Sequence, residues 1–273
     1  SMVLPLGDMQ PTRITPFVTY ALIALNVVMY VVQVDRGDQF TMALAATPWE
    51  ITHNEDIDEP IVPRWNVVRD RDPQDPFGER IPANAAPAVI PHAPSPIPIW
   101  LTLFTSMFLH GSLMHLAGNM LYLWIVGDNV EEVLGRGRYI LVYLACGLGG
   151  ALAQIAAAPN SLIPTLGASG AIAGIMGAYV VWFPHNQIRV LVFRFITVMP
   201  AVIVIGGWIV LQIYLGSQAF GKIGESGGVA YLAHVGGAAV GIAFALYFYP
   251  RAQYVKAMDD HLRGWQTSPY QGD

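Results

Sequence analysis

The chain has 273 residues, of which 54% are hydrophobic and only 12% charged, and its mean hydropathy is +0.45. A soluble domain carries roughly 25% charged residues, so this composition points to the membrane instead. The net charge of −5 divides into −6 in residues 35–99 and +1 elsewhere, no basic patch for nucleic acid is evident, and the single cysteine, Cys146, excludes a disulfide framework.

In chain order, residues 1–15 form an N-terminal segment, and 16–34 are the first of six apolar stretches of membrane-spanning length. The others are roughly 101–126, 138–158, 165–183, 195–216 and 229–249; about 20 apolar residues cover the hydrocarbon core of a bilayer. The first stretch is long for a signal-peptide core, and no small-residue cleavage site follows Val34, so it reads as a retained helix. Residues 35–99 break the pattern. They hold eleven acidic and five basic residues, with eleven prolines between Pro48 and Pro98. Such sequence buries little and reads as a mobile extracytoplasmic insert. Its apolar start, "FTMALAATPWEITH", predicts a short helix resting on the bilayer surface. Residues 100–250 hold the remaining five spans, joined by short linkers, and 251–273 form a tail. Neither strand alternation nor an internal repeat is evident. The expected fold is an all-α polytopic membrane protein, six transmembrane helices with a long first loop.

Six helices place both termini on one side. Arg13, Arg136, Arg138, Arg189, Arg194, Arg251, Lys256 and Arg263 then share that side, against Lys222 alone in the opposite short loops. The excess of positive charge marks the cytoplasmic face, which predicts cytoplasmic termini.

Polar side chains inside spans are expensive and therefore candidates for function. The second span reads "FLHGSLMHLAGNMLYLW", with His110, His115 and Asn119; the fourth begins "GASGAIAG", with Ser169; the sixth reads "AYLAHVGGAAVGIAFAL", with His234. His115 and Asn119 are four apart and share a helix face. His110 lies about 140° away around an ideal helix, so a metal site built from the two histidines is disfavoured, and the spans offer no Cys, Asp or Glu to complete one. All nineteen carboxylates fall outside the six stretches.

Ser169 and His234 suggest a nucleophile and its base, because a serine hydroxyl attacks well only when a nearby imidazole takes its proton. The spans must then approach closely. Gly170, Gly174 and Gly177 make a small-residue stripe on one, and Ala233, Gly237 and Gly241 on the other. Ser169 follows the non-helical "IPTLG" at its span's start, and His234 lies roughly 8 Å into its own. Free N–H groups at a helix start stabilise a developing oxyanion, and His115 and Asn119 can add donors. With no carboxylate in reach, a Ser-His dyad is expected rather than a triad.

These motifs, "HGSLMHLAGN", "GASG" and "AHVGGAAVG", with "ALIALNVVMY" on the first span, resemble those of the rhomboid intramembrane serine proteases of bacterial type. The resemblance covers about 15–34 and 101–249. It implies a rhomboid-like six-helix bundle in a bacterial plasma membrane, with Ser169 as nucleophile and His234 as general base. It also implies an oxyanion hole of His115, Asn119 and the Ser169 N–H, with His110 structural. Gly167, Gly170, Gly174, Gly237 and Gly241 are the small residues around the site. It further implies cleavage of transmembrane protein substrates near the extracytoplasmic face, in contact with the lipid bilayer and with no cofactor or metal, substrates entering beside the fifth helix. Two departures stand out. Many members carry Trp-Arg before the second helix, where this chain has Trp100 in "IWLTLFT". Some place an aromatic four residues after the serine, where this chain has Ala173.

Two other classes compete. A catalytically silent relative would bind transmembrane clients, but such relatives typically lack the serine or the histidine. A channel or transporter would show inverted repeats or paired broken helices, which this sequence lacks.

Overall fold

The computed structural model describes residues 3–10, 12–61, 89–219 and 230–266. The centre of the long acidic loop (62–88), the segment 220–229 with Lys222, and the last residues of the tail lie outside the described residues.

The protein is a mostly helical, polytopic membrane protein. Strand β1 (Val3–Asp8) precedes helix α1 (Phe17–Arg36), which ends at Gly37 with φ +79°. Helices α2 (Asp38–Leu44) and α3 (Pro48–His53) follow. The apolar stretch expected as one surface helix is therefore two short ones, parted at Ala45–Thr47, where the backbone turns extended. Next come a short helical segment, Ile99–Phe108, and helices α4 (Leu113–Leu134), α5 (Arg136–Ala157) and α6 (Ser169–Trp182). Strands β2 (Gln187–Val192) and β3 (Phe195–Pro200) lead through a π-helical turn, Val202–Gly206, into α7 (Gly207–Ala219). Helices α8 (Tyr231–Tyr247) and α9 (Tyr249–Gln266) close the chain.

Helices α1 and α5 are individually long and apolar enough to cross a membrane. Ile99–Phe108 with α4, and α8 with the start of α9, qualify as bent pairs, while α6 and Val202–Gln218 are shorter apolar helices.

The second span corrects the sequence reading. The chain bends by 77° between Ile99–Phe108 and α4, because Ser112 is extended and caps α4, its side chain accepting from the His115 N–H at 3.1 Å. The helix runs to Leu134 rather than ending near 126, so Asp128, Glu131 and Glu132 lie inside it. The expectation that every carboxylate stands outside the spanning helices fails here. Glu131 is fully buried and accepts from Val18 N at 3.1 Å, Thr19 N at 2.8 Å and Thr19 Oγ1 at 2.9 Å. Pro16, at the N-cap of α1, has no side-chain acceptor to offer, so a carboxylate from α4 takes over the cap and meets the positive end of the helix dipole.

The absence of strands is the second correction. Strand β2 pairs antiparallel with both β1 and β3 in a three-stranded sheet ordered β1-β2-β3. Ile188 and Val190 of β2 face inward, while Gln187 and Arg189 are exposed, the period-2 signature of a half-buried strand. The expected span 195–216 begins as β3, because the β-branched run Ile196-Thr197-Val198 pairs with β2 and helix starts only after Pro200.

Helix α6 is the centre of the molecule. Residues 171–179 are buried without a break, as expected of a helix apolar on every side. Helices α4, α5 and α8 surround it. Glycine permits the closest approaches. A Cβ at Gly237 would collide with the Gly170 carbonyl, one at Gly241 with the Gly174 carbonyl, and one at Gly174 with the Cys146 side chain; one at Gly177 would come 2.8 Å from the Ala238 oxygen. At Gly170 itself the nearest atom would be 3.5 Å away, an ordinary contact, so the tight partner there is Gly237.

Candidate active site

One end of the bundle is made of loops that grip each other. Ala46 and Thr165 exchange backbone hydrogen bonds at 3.0 and 2.8 Å, Trp49 N donates to the Ser161 carbonyl at 3.0 Å, and Thr52 Oγ1 donates to the Pro159 carbonyl at 2.8 Å. The loop after α1 thereby braces the segment that leads into α6. Gly167 N donates to the Ser106 carbonyl at 2.8 Å. Gly167 has φ +130°, a conformation that side chains resist, and a Cβ there would sit 2.8 Å from His115 Cε1 and 3.7 Å from Ser169 Oγ. Glycine therefore makes both the turn and the room for the His115 ring beside the serine.

Ser169 is the first residue of α6 and is half-buried. Its N–H belongs to the first turn, whose donors have no acceptor within the helix. Its Oγ stands 2.8 Å from His234 Nε2, and His234, on the first turn of α8, is only 7% exposed. The glycine contacts between α6 and α8 bring these two helix starts together. On its other side, His234 Nδ1 lies 2.8 Å from Oε1 of Gln212, a buried residue of α7. The Trp208 ring, also on α7, lies 5.4 Å from the imidazole, tilted by 36°.

The second-span residues form an adjoining group. His110 and His115 meet edge to face at 5.2 Å, and the Asn119 amide hydrogen-bonds His110 Nε2 at 2.9 Å. Gln33 of α1 holds the His110 backbone from both sides: its Oε1 accepts from His110 N at 2.9 Å and its Nε2 donates to the His110 carbonyl at 3.2 Å. The structure thus brings Ser169, His234 and His115 together, and turns Asn119 toward His110. Among the described residues, no group of three His, Cys, Asp or Glu side chains is arranged to hold a metal ion.

Gln212 and Gln33 escaped the sequence reading. Both are amides within apolar stretches, "GGWIVLQIYLG" and "YVVQV", and the rule that singled out Asn119 applies equally to them.

Residues 98–251 match the Rhomboid domain family model. The chain is 47% identical over 79 residues to "Rhomboid protease GluP" of Bacillus subtilis, covering 29% of this chain and 15% of that protein. It is 30% identical over 151 residues to "Rhomboid protein 1, mitochondrial" of Saccharomyces cerevisiae, covering 54% and 41% respectively. Over 147 residues it is 31% identical to the mouse "Presenilin-associated rhomboid-like protein, mitochondrial". The chain spans well under half the length of these three relatives.

Proposed function

Because this chain belongs to the rhomboid family, we propose that it is a serine endopeptidase that cleaves transmembrane segments of other membrane proteins within the bilayer. The observation that carries the proposal is the 2.8 Å contact between Ser169 Oγ and His234 Nε2 at two helix starts held together by glycine. A hydroxyl that close to an unprotonated ring nitrogen can lose its proton as it attacks.

In this reading His234 Nε2 takes the Ser169 proton while Oγ attacks the scissile carbonyl. The Ser169 N–H and a donor from His115, which lies beside the serine, receive the developing oxyanion, and Asn119 joins them if its amide leaves His110 when substrate binds. His234 returns the proton to the leaving amine, and an acyl-enzyme remains on Ser169. Water, deprotonated by His234, then hydrolyses it. No metal or cofactor takes part. The basic-residue asymmetry supports cytoplasmic termini, cleavage near the extracytoplasmic face and, by the family's bacterial members, a bacterial plasma membrane.

Labelling of the detergent-purified protein with a fluorophosphonate probe tests this reading. Wild type should label, and Ser169→Ala and His234→Ala should not. Absence of labelling in folded wild type, or persistence in Ser169→Ala, would overturn it.

A further inference from the structure

We infer that Gln212 is the positioning residue of the proposed dyad: it selects the His234 tautomer whose Nε2 is free to accept the Ser169 proton. The inference rests on the Ser169–His234 reading but on a different contact.

A neutral imidazole carries one proton. To act as a base at Nε2, it must hold that proton on Nδ1. Since His234 is buried, an Nδ1–H without an acceptor would be costly, and the ring would gain by shifting the proton to Nε2, which cannot then accept from serine. Gln212 Oε1, 2.8 Å from Nδ1, supplies that acceptor. The side chain is itself only 6% exposed, so it does not swing freely in solvent.

The same helix fixes the plane of the ring. Trp208 and Gln212 are four apart on α7 and therefore share a face. Trp208 meets the imidazole with its ring and Gln212 meets its edge. Ala173, four residues after Ser169 on α6, has only a methyl group to offer. The nucleophile is thus placed by α6 and the base by α8, while the base is oriented by α7. The acceptor is a neutral amide, so it directs the ring without adding a charge to hold an imidazolium.

Two measurements on the full chain in detergent test this. Selective ¹⁵N labelling of histidine, with the His234 signals assigned by difference from His234→Ala, reads the tautomer directly and without reference to activity. Wild type should show the Nδ1–H form, and Gln212→Leu should shift His234 toward Nε2–H. An Nε2–H tautomer in wild type would overturn the inference, whether or not the protein labels. The second measurement is the fluorophosphonate labelling rate against pH. Gln212→Leu should slow labelling roughly 10- to 100-fold, within the range general-base catalysis supplies. Gln212→Glu keeps an acceptor and should restore most of the rate. Wild-type rate and pH profile in folded Gln212→Leu would also overturn the inference. Failure of wild type to label at all would sink the protease reading instead, leaving the tautomer to decide on Gln212.

Discussion

Helix α6 carries a polar group toward each end, and the two are built differently. At its start Ser169 meets His234, and His234 meets Gln212, a chain of neutral groups held at 2.8 Å per contact. Near its other end the Tyr179 hydroxyl donates to Asp8 of β1 at 2.8 Å, and Asn129 of α4 donates to the same carboxylate oxygen at 2.8 Å. Charge gathers at that second end: Asp128 neighbours Asp8, Glu131 caps α1, and Glu132 pairs with Arg13 at 2.9 Å. Lys256 reaches the Trp182 carbonyl and Arg251 the Val133 carbonyl. The difference separates two tasks. A charged group fixed by donors is a good clamp, since removing one partner strands the other. A proton-transfer site needs groups whose protonation can change at little cost, and neutral side chains meet that need. The charged end holds elements together; the neutral end is fit to react.

The strongest way to break this division is to disturb the neutral end by packing alone. In Gly237→Ala the new methyl would collide with the Gly170 carbonyl, and α8 must move off α6 where His234 reaches Ser169. A displacement near 1 Å can cost about 100-fold in rate. Fluorophosphonate labelling should fall by about that factor, with helical content by circular dichroism retained. Labelling at the wild-type rate would show that glycine contact does not set the dyad distance.

The charged end should answer the opposite way. Glu131→Ala leaves the half-buried N–H of Val18 and the buried N–H of Thr19 without their acceptor. Each buried donor left unsatisfied costs about 1–3 kcal/mol. A clear drop in Tm is expected, while labelling of the folded fraction at low temperature changes little. Glu131→Gln keeps an acceptor oxygen and should lose less. An equal loss in both variants would point to the charge itself, rather than hydrogen bonding, as the cap.

How well each end could be read in the sequence follows from the same contrast. Ser169 and His234 are conspicuous because a hydroxyl or imidazole inside an apolar run has few bland explanations, and the small residues between them advertise close helices. Gln212 was equally polar, yet its helix shows no motif around it, and only the folded contact joins it to His234. Glu131 was hidden by a boundary error. The apolar run beginning at 101 suggested a span ending near 126, and the bend at Ser112 shifts the helix toward Leu134. The sheet was missed because its strands lie in the N-terminal segment, in a short linker and at the edge of an apolar stretch. "QIRVLV" alternates over only a few residues, and β1 pairs with it from the far end of the chain. Local periodicity reports local structure; a strand made by a distant partner leaves little trace.

The smallest expected effect sharpens the comparison most. Burial pushes the Asp8 carboxyl up to about 6 from 3.8, outweighing the Tyr179 and Asn129 hydrogen bonds, which act in the other direction. The folded protein therefore holds that proton more tightly than the unfolded chain. The associated stability is fully present below about pH 4 and is lost as pH rises toward 6. Asp8→Asn keeps an oxygen for both donors without a charge to bury. It should gain a modest rise in Tm at pH 7.5, the rise shrinking as pH falls through this window, and Asp128 beside it will soften the transition. Labelling of Ser169 should stay at the wild-type rate throughout. A change in labelling that tracked the Tm would mean that protonation at one end of α6 is felt at the other, and the two ends would have to be treated as one site.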